Sequence, residues 1–208
     1  MIEHTTVQEG ALGTALETLG ELNSFKLRLG SNNWKNSAAK QFLNSDAGVG
    51  EVWQPTNKYG RPPVWNASTA GFLNGIDRDF LDVIGEVEKV TVISDFDKET
   101  AEADDKETNI EKFFLLSSTE VYGWDEANID EGEVYTFYKE NSSNSSQNGA
   151  ADTNRIKYRI DTKLASEWWL RTPQKDAIEL TRCVTADGRV GRSGVRYAYG
   201  ICPACCVI

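Results

Sequence analysis

The stretch EWWLRTP, Glu167 to Pro173, constrains the fold more than any other part of the chain. In a strand, successive side chains point to opposite faces, so Trp168 and Trp169 cannot enter the same core. Such a strand needs an apolar layer over each face, or it leaves one indole in water. Arg171 follows with a planar fork of donors that asks for fixed acceptors. The structural expectation is that one tryptophan sits under the helices and the other packs the opposite face of the sheet. Arg171 then pairs with a carboxylate or holds a loop carbonyl. The functional alternative makes the second tryptophan a ligand platform, since exposed Trp and Arg dominate binding hot spots.

From Arg155 onward the pattern is strand after strand: RIKYRI, EWWLRTP, IELTRCVT, GRVGRSGVRYAYGI and CCVI. Asp187-Gly188 is the strongest hairpin signal in the chain. Upstream, SNNWKNSAAKQFLNSD reads as a helix, with Trp34, Ala38, Gln41 and Phe42 on one face and a Ser/Asn cap before it. STAGFLNGIDRDFLDVIGEV reads as one or two short helices striped by Phe72, Leu73, Ile76, Phe80 and Ile84. VEKVTVIS is a strand candidate, and Phe113 to Leu116 is a short buried strand. Ser117 or Ser118 caps a helical turn carrying Glu120 and Val121. GEVWQPTNKYGRPPVWNAS and the polar run Glu140 to Asp152 read as loops. In the first thirty residues Leu12, Leu16 and Leu19 have helical spacing, interrupted by Gly10, Gly13 and Gly20. Helices first and an antiparallel sheet last make the fold class α+β. There is no βαβ alternation, no G-x-G-x-x-G and no P-loop.

Asp plus Glu is 32 against 22 Lys plus Arg, a net charge of −10, which argues against general affinity for nucleic acid. No apolar run reaches the length of a membrane span, so no membrane insertion is expected. MIEHTTVQEG has neither a basic n-region nor an apolar h-region, so no signal peptide is expected. The acidic run Ser94 to Glu111 is expected to be a solvated loop. Asp95, Asp97 and Glu99 alternate as in a calcium loop, but the required Gly and terminal Glu are missing.

The cysteines are Cys183, Cys202, Cys205 and Cys206. CPACC suggests zinc, yet adjacent Cys205 and Cys206 would point to opposite faces of a strand. The expectation is no metal and small buried thiols, with a Cys183 disulfide left open. With His4 the only histidine, a Ser–His–Asp or Cys–His arrangement is not expected. CPACC also does not open a helix after a strand, where a redox C-x-x-C would sit. These residues predict a chain that is not an enzyme and needs no cofactor.

GSNNWKNSAAKQFLNSDAGVGEVWQP, RPPVWNASTAGFLNGIDRDFLDVIGEV, KFFLLSSTEVYGW, RIKYR, WWLRTP and the ending YGICPAC occur in that order. Together they resemble a phage and prophage domain family of unknown function with a W-W-L-R-S-P motif near its end. That family is similar to C-type-lectin-like domains of the formylglycine-generating-enzyme type. The resemblance covers residues 27–208, leaving residues 1–26 as an N-terminal extension or remnant of a longer region. It implies short helices packed on a twisted antiparallel sheet, with strands concentrated in the C-terminal half. It also implies a viral protein of the virion or bacterial cell surface that acts in host attachment. The implied role is non-catalytic receptor binding at a tail-fibre tip, or as a variable protein of a diversity-generating retroelement. The ligand would be a host-surface protein or glycan; the implied rivals are a head-decoration or fibre subunit contacting other virion subunits, and a degenerate enzyme of the formylglycine-generating fold. The ending Ile201-Cys202-Pro203-Ala204-Cys205 departs from the family's G-V-R-P-A, and the copper-binding cysteine pair of the catalytic relatives is not reproduced.

Binding residues are expected between the framework blocks. TPQKDAIELTR and DGRVGRSGVRYAYG mix Arg, Tyr, Asp, Lys, Ser and Gly as a paratope does. The candidates are Lys175, Asp176, Glu179, Thr181, Arg182, Arg189, Arg192, Arg196, Tyr197 and Tyr199, with Trp168, Trp169 and Arg171 as framework.

Overall fold

The computed structural model describes the backbone of Ile2–Glu3 and residues 32–54, 62–98, 104–139 and 153–208. The rest of the first thirty residues and the polar run 140–152 lie outside the described residues. In chain order the strands are β1 (Ile2–Glu3), β2 (Ile84–Gly85), β3 (Val87–Val92), β4 (Lys106–Glu111), β5 (Lys157–Tyr158) and β6 (Ala165–Ser166). They continue with β7 (Trp168–Pro173), β8 (Leu180–Val184), β9 (Val190–Gly194), β10 (Ala198–Tyr199) and β11 (Cys206–Val207). The molecule is mixed α and β, with short helices, small antiparallel sheets and most strands in the C-terminal half. The largest sheet runs β7-β8-β9, and β1-β10, β2-β11, β3-β4 and β5-β6 pair beside it.

Every residue of β7 is buried, and its two faces look into different clusters. Trp169 packs with Trp34, Leu43, Phe113, Leu115 and Cys183. Trp168 packs with Phe114, Leu116, Val121, Tyr122, Leu170 and Val184. Each indole removes some 150–250 Å² from water, worth roughly 4–6 kcal/mol before conformational entropy is subtracted. Two of the buried indole N–H groups are also served, Trp168 donating to the Arg155 carbonyl at 2.9 Å and Trp34 to Glu111 at 2.8 Å.

The helix under Trp169 is Ala38–Leu43, capped by the Ser37 hydroxyl. On the other face lies Ser118–Tyr122, whose Ser117 and Glu120 form a reciprocal capping box and whose Gly123 closes the helix in the left-handed region at φ 65. The SSTE pattern carries that start in sequence. The Asp187-Gly188 turn joins β8 to β9, with Gly188 at φ 83. A third cluster of Ala38, Val52, Trp53 and Trp65 extends the core beside the Ala38–Leu43 helix.

Several expectations shift. The acidic run is not all loop: Lys106–Glu111 is β4 and pairs along its length with β3. Its charges do not prevent this, because Asn109 and Glu111 turn inward and meet Lys40 at 2.9 and 3.2 Å. Phe113 to Leu116 is buried and extended, but it is a connector rather than a ladder strand, bridged only at Phe114 to Ala204. Its residues alternate between the two clusters, Phe113 and Leu115 on one side and Phe114 and Leu116 on the other. The expected helical stripe from Phe72 to Ile84 contracts to Arg78–Asp82, with Phe80 exposed. Gly75 at φ 84 sits in the turn that precedes it.

Candidate functional site

The bulge in β7 prepares the framework for a site. Its register with β8 shifts between Trp169 and Pro173, and the Arg171 N–H donates to the Leu116 carbonyl at 3.0 Å. A bulge re-aims the side chain it carries. The Arg171 guanidinium meets the Glu120 carboxylate at 2.5 Å and the carbonyls of Leu115, Val90 and Glu131 at 2.9, 3.2 and 2.7 Å. Burial alone would raise Glu120, but Arg171 and Lys89 outweigh it and hold the carboxyl below its ordinary value. Glu131 is more deeply desolvated. Despite Arg171, a Thr172 hydroxyl contact and the Val92 N–H, it is pushed up to about 7.

The loop after β7 is fixed as firmly. The Asn32 side-chain nitrogen lies 2.9, 2.6 and 2.6 Å from the carbonyls of Gln174, Ala177 and Leu180. Glu126 accepts the Lys175 N–H at 3.1 Å, and Lys175 Nζ reaches Asp95 and Asp105 at 2.9 and 2.6 Å. Hydrogen bonds from Lys175 and Lys98 hold Asp105 below the usual carboxylate range. A loop tied this way presents its surface without paying ordering entropy on binding.

On that frame the expected binding residues divide. Thr181 is buried and donates to the Thr172 carbonyl at 2.8 Å. Arg182 is also buried, paired with Glu126 at 2.7 Å and stacked over the Trp124 ring at 4.4 Å. Neither is a surface contact, because β8 is the central strand of its sheet. Tyr199 is half-buried; its ring stacks on Trp169 at 4.5 Å and its hydroxyl meets Ser193 at 2.9 Å. Lys175 is consumed by its aspartates. Glu179 is half-buried at the foot of β8, its carbonyl accepting the Val195 N–H at 2.8 Å. Asp176 is exposed and accepts from Gln174 at 2.6 Å.

The remaining residues share one edge. Arg189, Arg192, Arg196 and Tyr197 are exposed, Arg189 just before β9, Arg192 on it and Arg196 and Tyr197 in the turn that follows it. Arg189 pairs with Asp187 at 3.1 Å. Arg192 faces Arg182 directly across the ladder, where like charges oppose each other. Glu126 neutralises Arg182, whereas Arg192 donates to the neutral Gln174 side-chain oxygen at 3.2 Å. Arg196 lies over the Tyr197 ring at 5.3 Å. Among the described residues neither Arg192 nor Arg196 has a carboxylate partner. On a chain of net charge −10, this edge is a local cationic ridge. Gln174, Trp124 and Glu126 complete its support, and sequence reasoning missed them. Trp124 and Glu126 lie more than fifty residues upstream of Arg182, with no local pattern to connect them.

Two concavities lie elsewhere. A cleft of about 410 Å³ is bordered by Lys89, Glu120, Glu131 and Tyr135. In it the Lys89 ammonium sits 4.1 Å from the Phe114 ring centroid and 2.8 Å from Glu120. A groove of about 540 Å³ runs between the β5–β6 hairpin and Gly200 to Pro203. The cysteines form no bridge: all are free thiols, with Cys183 pushed up to about 12 by burial. Cys205 packs against one core cluster while Cys202 and Cys206 pack against the other. Among the described residues there is no cluster of metal-ligating side chains, and no helix is long and apolar enough to cross a membrane.

The chain belongs to the family described as Domain of unknown function (DUF6273), whose model matches residues 14–208. That match begins upstream of Leu27 and takes in the whole of the described core. No curated protein and no solved structure matches the chain.

Proposed function

We propose that this family member is a non-catalytic recognition domain of a phage or prophage particle. Its fold would be C-type-lectin-like, and it would bind a host-surface protein or glycan through the ridge of Arg189, Arg192, Arg196 and Tyr197. The observation that carries the reading is the pair of exposed guanidiniums at Arg192 and Arg196 without carboxylate partners among the described residues. They stand on a sheet whose central residues and adjoining loop are locked by internal bonds, and a preorganised surface with Arg and Tyr anchors is how such domains gain affinity. The buried acids Glu120 and Glu126 are each occupied by an arginine, which favours a structural rather than a catalytic use for them.

The test is binding of the labelled full chain to bacterial envelope preparations and glycan arrays. Saturable binding to at least one surface is expected, with most of it lost in Arg192→Glu and Arg196→Glu. No binding to any preparation, or binding indifferent to both substitutions, overturns the reading.

A second reading, a structural virion subunit, is favoured by one feature. The β5–β6 hairpin leaves Tyr158, Ile160 and Leu164 exposed at 64%, 89% and 66%. Assembly through that hairpin predicts concentration-dependent oligomers in sedimentation, abolished by Ile160→Asp.

A further inference from the structure

We infer that the free edge of β9 is a docking site for an extended acidic polypeptide, which adds to the β7-β8-β9 sheet as a fourth strand. The inference rests on the recognition reading and narrows its ligand to a polypeptide. β9 is the outer strand of that sheet, and among the described residues no strand pairs with its far side.

Two bonds that flank the ladder fix which backbone groups face outward. The Thr185 N–H donates to the Arg189 carbonyl at 2.8 Å, and the Val195 N–H donates to the Glu179 carbonyl at 2.8 Å. The register between them is continuous, Val184 with Val190, Arg182 with Arg192 and Leu180 with Gly194. Antiparallel ladders alternate bonded and non-bonded pairs, so both flanking bonds place the bonded pairs at Cys183–Gly191 and Thr181–Ser193. Val190, Arg192 and Gly194 therefore turn their N–H groups away from β8. Val190 and Arg192 turn their carbonyls the same way, whereas the Gly194 carbonyl is taken by the Tyr197 N–H at 2.9 Å. An exposed row of this kind is a template for another strand unless it is blunted by proline, a bulge or a cover. β9 reads VGRSG, without proline, and its register with β8 has no bulge. On the face of Gly191 and Ser193 the space is taken by Thr185 and Cys183 beside Gly191 and by Tyr199 at the Ser193 hydroxyl, so an incoming strand is read through its backbone and through the Arg192 face.

Charge decides the occupant. Arg192 already opposes Arg182 across the ladder, and Glu126, which pairs with Arg182, is spent on it, leaving Arg192 without a carboxylate among the described residues. An acidic residue on the incoming strand opposite Arg192 supplies the missing counter-charge, with Arg189 and Arg196 at either end. A second copy of this chain is disfavoured, because antiparallel pairing of β9 about its centre sets two copies of Arg192 against each other.

The probe is a fluorescein-labelled peptide of about seven residues alternating Val and Glu, long enough to span β9. It is titrated against the full chain beside a Val/Lys counterpart and a Val/Glu peptide N-methylated at alternate positions. The acidic peptide should bind. The basic one should be weaker by about tenfold or more, and N-methylation should cost a similar factor, since it removes the ladder bonds but not the charge. Bound peptide should slow hydrogen exchange at the amides of Val190, Arg192 and Gly194. Arg192→Glu should reverse the preference for acidic over basic peptide; because the methylated control changes only the ligand, it stays informative if that variant misfolds. Equal binding of both charge types, indifference to methylation, or protection away from β9 overturns the inference. If envelope binding is meanwhile lost in Arg192→Glu and Arg196→Glu, the recognition reading stands and only the strand-addition mode falls. Absence of both envelope and peptide binding overturns the two together.

Discussion

Arg171 and Glu120 lie 2.5 Å apart with side-chain exposures of 0% and 3%, an ion pair fully inside the molecule. Its geometry resolves the problem posed by an arginine directly after two core tryptophans. The guanidinium ties β7 to the Leu115 connector, to β3 through Val90, and to Glu131. Removing one partner strands a buried charge, so Arg171→Ala should lower stability by about 3–5 kcal/mol in urea melts at pH 7. Arg171→Lys should not restore it, because a single ammonium cannot reproduce the planar fork. Combining Arg171→Met with Glu120→Leu should cost less than the sum of the single changes, since neither member of the pair is left buried alone, although Lys89 still loses its carboxylate. Additive losses would show that the two side chains act independently.

Glu131 gives the pH dependence a definite sign. Its folded value is raised to about 7 from an ordinary 4.5, chiefly by burial. The folded state therefore holds the proton more tightly than the unfolded chain through that window. Stability from this group is fully present below pH 4.5 and is lost as pH rises to about 7, by roughly 3 kcal/mol. Glu120 works in the opposite sense, its depressed value withdrawing stability as pH falls below the ordinary carboxylate range. Glu131→Gln keeps the shape and an acceptor for the Val92 N–H. It should leave stability near pH 5 little changed and raise it at pH 8, flattening the curve between them. A curve with the same slope in the variant would assign the pH response to another group.

The parts of this fold that were legible in sequence are those whose cause is local. Alternation alone required a layer on each side of Trp168 and Trp169. The SSTE pattern located a helix start at Ser117 or Ser118, which the structure places at Ser117, and Asp187-Gly188 located a hairpin. What stayed hidden depends on distant partners. β4 was masked by its own charges, because nothing near Glu111 shows that Trp34 and Lys40 will meet it. Arg182 looked like Arg192 in sequence, each an arginine inside a strand-like stretch of the C-terminal half. They part only when Glu126 and Trp124 arrive from another segment to bury one and leave the other exposed.

Gly71 and Gly85 look alike in sequence, and the structure separates them. A Cβ on Gly71 would sit 2.1 Å from the backbone carbonyl oxygen of Ser45. The Gly71 N–H is also bound to the Ala47 carbonyl at 3.0 Å, so neither chain can withdraw without breaking the turn. On Gly85 the clash is with the Ile208 side chain at 2.5 Å, and Ile208 is 85% exposed and able to rotate away. Gly71→Ala should cost about 3 kcal/mol or more and Gly85→Ala about 1 kcal/mol or less in thermal or urea unfolding. Equal costs would place the tight approach elsewhere.

If the proposed recognition surface is a diversified one, tolerance to substitution must follow burial within a single short stretch of the gene. Between Lys175 and Tyr199, changes at Asp176, Arg189, Arg192, Arg196 and Tyr197 alter only exposed side chains, whose replacement costs little stability. Changes at Arg182 leave Glu126 buried without its counter-charge, at about 3–5 kcal/mol. Changes at Tyr199 remove the ring stacked on Trp169. Deep sequencing of the 3′ end across cells of one culture, read for adenine-directed substitutions, should find them at the codons of the exposed set. Thr181, Arg182, Tyr199 and the WWLRTP block should be nearly silent. Substitutions spread evenly over both sets would separate variation from the surface, and an invariant 3′ end would remove diversification from the proposal while leaving a fixed recognition ridge to be tested by binding.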